Sequence, residues 1–95
     1  MTNRFERARD LRQLRFMLST LHAYSEGASS LPRLVEDMEL LLLSLSGTDK
    51  GLEDKVRGAM PKPDAKASDA KRAVSKLRGV VEDALKRHER EQPGA

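Results

Sequence analysis

Between Leu31 and Leu45 the chain places apolar side chains at Leu31, Leu34, Val35, Met38, Leu41, Leu42 and Leu45. Spacings of three and four put these side chains on one face of an α-helix, whereas a strand would require strict alternation. A face this apolar has to be covered. The cover has to be helical, because β-branched and aromatic residues are scarce in the chain and no convincing alternating run occurs. The punctuation agrees: Ser30 is a candidate N-cap, Pro32 falls in the first turn where its missing N–H costs nothing, and Gly47 is placed to close the helix. A helix is predicted over 31–46, and the chain is committed to packing helix on helix.

Three more segments carry the same period. Leu11, Leu14, Leu18 and Leu21 share a face, flanked by Met17 and Tyr24, in a helix predicted over 3–26. Asn3 and Glu6 have the spacing of a capping box, and Gly27 stands where a helix end needs φ > 0. A short helix over 49–60 presents Leu52, Val56, Ala59 and Met60. It carries Gly51 and Gly58, each costing about 0.8–1 kcal/mol against alanine in a helix interior, so it must dock to survive. Pro61-Lys62-Pro63-Asp64 is a break. The last helix begins between Asp64 and Asp69 and runs to about 91. Its stripe is Ala70, Val74, Leu77, Val81, Ala84, Leu85 and His88, widened by Ala73 and Val80, and Glu82–Lys86 and Asp83–Arg87 are acid-before-base pairs on its solvated side.

These four segments, approximately 3–26, 31–46, 49–60 and 66–91, predict an all-α fold: a small antiparallel bundle of about four helices. Residues 1–92 make one domain and 93–95 a frayed tail. The second helix, being the most apolar, is expected at the centre. A domain of this length buries only about 60–65% of the surface its unfolded chain exposes, so association with another chain would add useful stability.

Composition narrows the function classes. There are no cysteines, which removes disulfides, thiol catalysis and Cys-based metal sites. The longest apolar run, Leu40–Leu43, is far below the roughly 20 residues of a membrane span. The charged N-terminus has no apolar signal-like core, so a soluble, cytoplasmic protein is expected, with no membrane partner. Charge is unevenly spread: residues 1–20 hold five arginines against two acids, 21–61 hold four bases against seven acids, and 62–95 hold nine bases against six acids. A basic, acidic, basic arrangement with a net charge of +3 is a weak signal for nucleic acid.

No constellation for chemistry stands out. His22 and His88 lie on separate helices without ligand spacing; His88 instead continues the apolar stripe of the last helix. Glu36, Asp37 and Glu39 project in different directions from one helix. The glycines match no phosphate-binding loop and the serines no nucleophile motif. No catalytic, cofactor-binding or metal-ligating residue is assigned, and no enzyme is expected.

Two features exceed what a minimal core requires. Phe5 and Phe16, eleven residues apart, share a stripe with Arg9 and Arg12 nearly opposite the leucine face of the first helix. Leu40 and Leu43, with Glu36 beside them, point away from the main stripe of the second. Internal burial would account for either set. Alternatively the set comprising Phe5, Arg9, Arg12, Phe16, Glu36, Leu40 and Leu43 binds a partner protein, since Phe and Arg are favoured at interfaces and exposed apolar patches mark them. Arginines interleaved with rings also suit a nucleic-acid strand, and Leu40 and Leu43 could meet their counterparts in a homodimer.

Tyr24-x-x-Gly27 followed by Leu31-x-x-Leu34-Val35-x-Asp37-Met38-Glu39-x-Leu41-Leu42 resembles a pattern in small all-helical bacterial proteins, several of them immunity proteins of polymorphic and contact-dependent toxin systems. The resemblance covers roughly residues 18–46. It implies an inhibitor of bacterial or phage origin that binds and occludes a partner protein, a toxin or other effector.

Overall fold

The computed structural model describes residues 4–45 and 51–90. They form four helices, α1 (Arg4–Ser25), α2 (Leu31–Leu43), α3 (Leu52–Ala59) and α4 (Ala67–Arg90), with no strand among the described residues. The expected capping at Asn3, the closing role of Gly47 and the tail at 93–95 lie outside the described residues.

Local chemistry sets most helix ends. At the end of α1, Gly27 adopts φ +80°, its N–H donates to the Tyr24 carbonyl at 3.0 Å, and the Ala28 N–H donates to the Ala23 carbonyl at 2.8 Å. This pair of bonds is a Schellman motif, which satisfies carbonyls that the helix leaves without partners. A Cβ at Gly27 would meet nothing within 4 Å, so Gly27→Ala has only the left-handed backbone to oppose it. It is expected to lower stability by about 1 kcal/mol, read by urea denaturation. A loss near zero would mean the turn relaxes to another geometry.

The start of α2 follows its sequence signals: the Ser30 hydroxyl accepts from the Arg33 N–H at 3.3 Å, and Pro32 occupies the first turn. Its end comes earlier than expected, at Leu43 rather than 46. There the N–H groups of Ser44 and Leu45 donate to the carbonyls of Leu41 and Leu42, three residues back, at 3.1 and 3.2 Å. The last turn tightens and stops. Gly51 departs from expectation too. It sits before α3 at φ +85°, in the entry turn and not in the helix interior, where its freedom to take a left-handed conformation is used.

The arrangement of the helices corrects the expectation that α2 is central. α1 and α4, with 22 and 24 residues, run for about 33 and 36 Å and form the principal contact. α2, with 13 residues, packs mainly on α1; α3, with 8, packs on α4. The reason is length: in a molecule 43 Å long, only the two helices of more than about 30 Å can bury an extended stripe against each other. Tyr24 and Ser25 share a depression with Lys71, Val74, Ser75 and Arg78, so the end of α1 lies beside the first half of α4, as an antiparallel pair requires.

The core is formed by Leu14, Met17 and Leu21 of α1, Leu34, Met38 and Leu42 of α2, Leu52, Val56 and Ala59 of α3, and Val74, Leu77, Val81 and Ala84 of α4. On α1 the buried arc is rotated from the expected leucine face. Met17 is fully buried and Leu18 only half-buried, because α1 has to serve α4 on one side as well as α2 on the other.

Candidate protein-binding surface

A helix packed between neighbours turns its remaining arc to solvent, and on α1 that arc carries two rings. Phe5 is 83% exposed and Phe16 52%, with Arg9 and Arg12 exposed on the same stripe. The stripe lies opposite Leu14, Met17 and Leu21, so burying the core and presenting the rings follow from one helical register. The Phe16 carbonyl also accepts from the Thr20 hydroxyl at 2.8 Å, a bond within the helix.

On α2 the same logic exposes leucines. Leu34, Val35, Met38 and Leu42 are buried, while Leu40 is 59% and Leu43 73% exposed, with Glu36 exposed beside them. Phe5, Phe16, Leu40 and Leu43 are the large hydrophobic side chains left exposed among the described residues. Internal burial does not account for them.

The two patches belong to adjacent helices. α1 ends at Ser25 and α2 begins at Leu31, so Phe16 and Leu40, nine residues from those ends, both stand about 13.5 Å from the connecting turn. The Leu40–Leu43 patch therefore lies level with the Arg12–Phe16 end of the α1 stripe.

The charged groups around them divide clearly. Arg33 is held by Asp37, its Nε donating to both carboxylate oxygens at 3.2 and 3.3 Å. Ion pairs also join His22 to Glu26 and Arg57 to Glu53. Arg9, Arg12, Glu36 and Glu39 take part in none of these pairs and face solvent. The acidic cluster anticipated around 36–39 is thus split: Asp37 is committed within α2, and the two glutamates are turned outward.

Sequence reasoning missed one buried polar group. Asp10 is 1% exposed, and His88 6%. Asp10 lies four residues before Leu14 and seven before Met17, on the buried face, so helical spacing alone could have found it. From the shared depression at Tyr24 and Val74, Asp10 lies fourteen residues back along α1 and His88 fourteen forward along α4. The antiparallel pairing brings both to the same level, about 21 Å away. Both have interaction partners in the structure. Among the described residues no cluster of three or more His, Asp or Glu side chains forms a metal-binding group, and no helix is long and apolar enough to cross a membrane.

Among the described residues, two depressions stand out. One, of about 550 Å³, is lined by Lys55 of α3 and Val80, Asp83, Lys86, Arg87 and Arg90 of α4. The other, of about 430 Å³, is the Tyr24 groove between α1 and α4. Comparison of the chain with protein-family models, with curated proteins and with solved structures found no match.

Proposed function

We propose that this chain is a protein-interaction module, acting by binding and occluding a partner protein in the manner of a small inhibitor or immunity protein. The carrying observation is the exposure of Phe5, Phe16, Leu40 and Leu43 on the outward arcs of two well-formed helices. Fully burying a large apolar side chain is worth about 1.5–3 kcal/mol of transfer free energy, and at these four positions the fold leaves the residue more than half exposed. Arg9, Arg12 and Glu36 border the apolar groups and would supply orientation and partner choice.

The test uses the immobilised full chain to capture proteins from an extract of its host, beside Phe16→Glu and Leu40→Lys. A protein retained by the native chain is expected to be lost from both variants while their helical circular-dichroism signal stays unchanged. Unfolding of the variants would show that these side chains hold the bundle together; identical capture by all three would remove the surface from consideration.

A second reading has an observation of its own. Lys55, Lys86, Arg87 and Arg90 line one depression, and a phosphate backbone suits such a basic surface. Binding to nucleic acid would then weaken steeply with salt as counterions are released, and no binding at low salt would dismiss it.

A further inference from the structure

The outward arcs of α1 and α2 are written in the same spacing with opposite charge. On α1 the stripe is Phe5, Arg9, Arg12, Phe16; on α2 it is Pro32, Glu36, Glu39, Leu43. Each reads apolar, charged, charged, apolar at intervals of four, three and four, and all eight side chains are exposed. These intervals hold each set to a narrow stripe on its helix. Leu40, four residues after Glu36 and three before Leu43, flanks the α2 stripe and broadens its apolar part. Arg33, the one cation on α2, is already engaged by Asp37, which leaves the exposed charge of the α2 stripe negative.

We propose that the occupant of both stripes is a second copy of this chain, the α1 stripe of one molecule lying along the α2 stripe of another. Phe5 and Phe16 then cover Pro32 and Leu43, and Arg9 and Arg12 meet Glu36 and Glu39. The 4-3-4 spacing is the same read in either direction, so ring-on-aliphatic and arginine-on-glutamate pairs form with the helices parallel or antiparallel. Arginine is suited to the role because its forked guanidinium can hold a carboxylate with two bonds. This inference rests on the reading of these surfaces as protein-binding and names their partner.

The scale sets what to expect. From its first residue to its last the stripe covers eleven helical rises, about 16.5 Å, so one such contact falls below the roughly 1,200 Å² of a standard stable interface. Association is therefore concentration-dependent and weak. Each molecule carries one stripe of either kind, so reciprocal pairing would double the contact. The central pairs are charged and lie near solvent, and added salt weakens them.

Sedimentation of the full chain across a concentration series, at low and at high salt, tests this directly. The native mass is expected to rise with concentration and to fall back towards the monomer in about 0.5 M salt, where screening is nearly complete. Arg9→Glu with Arg12→Glu puts acid against acid, and Glu36→Arg with Glu39→Arg puts base against base. Each double variant is expected to associate at least about tenfold more weakly than the native chain, a loss of 1.4 kcal/mol or more. An equimolar mixture of the two is expected to associate again, since each now offers what the other lacks. A symmetric contact of α1 with α1, or of α2 with α2, would not behave so, because one variant of the pair would keep its native self-contact.

Circular dichroism of each variant establishes that it is folded. Should a charge variant lose helicity, Phe16→Ser and Leu43→Ser probe the same contact without altering charge and are expected to reduce association likewise. A native chain that stays monomeric at every concentration overturns the proposal, as does a folded mixture that fails to associate. Either result leaves the wider reading standing, since capture of a different protein through Phe16 and Leu40 is measured separately.

Discussion

Leu77→Ala is expected to lower the unfolding free energy by about 3 kcal/mol. Leu77 is fully buried in α4, the helix that packs on both α1 and α3. Truncation removes the transfer free energy of the lost atoms and leaves a cavity that relaxes only in part, because its walls belong to different helices. A domain of this size has about 5–14 kcal/mol in total, so the loss takes a large fraction of it. Urea denaturation should show a lower midpoint with unchanged slope, and the melting temperature should fall by roughly 12–24 °C. The control is Leu43→Ala. At 73% exposure it should change stability by no more than about 0.5 kcal/mol. A loss under 1 kcal/mol at Leu77, or equal losses at the two positions, would contradict the packing described.

Two glycines offer a gain in stability instead. Gly58 lies in the last turn of α3 and Gly79 in the middle of α4, both exposed, and a Cβ built at either would meet nothing within 4 Å. Neither has the positive φ that would exclude alanine. Substitution costs no packing and reduces the backbone entropy lost on folding. Gly79→Ala should stabilise by about 1 kcal/mol, and Gly58→Ala by somewhat less because it lies near a helix end. On separate helices the two should nearly add, raising stability by about 1.5 kcal/mol together. Thermal melts of the single and double variants would show the gain. Destabilisation at either position would mean that the glycine has a role in close packing which the open surroundings do not suggest.

The helices themselves were legible because their signals are local. The Leu31–Leu45 period, Ser30 with Pro32, Gly27 and the Pro61–Asp64 break all act within a few residues of where they stand, and each does in the structure what its chemistry predicts. The positions of Phe16 and Leu40 off the main apolar faces were legible from spacing, but their exposure was not: a second helix could have covered them, and only the packing leaves them in solvent. Met17, Leu18 and Asp10 were harder. Their burial depends on how far α1 is rotated between two neighbours, a quantity no local spacing contains. Pro32 and Glu39 were passed over because a stripe acquires meaning only beside a complementary one.

Periodicity and capping are properties of short stretches of backbone and side chain, so the number of helices, their approximate limits and the apolar face of each could be read residue by residue. The placement of α1 and α4 at the centre could not. It follows from competition among the helices for one another's faces, and that competition is won by contact length: the long pair buries a continuous stripe while the more apolar but shorter α2 is left to one side. That outcome turns Leu40 and Leu43 to solvent and leaves an apolar patch on the outer side of α2.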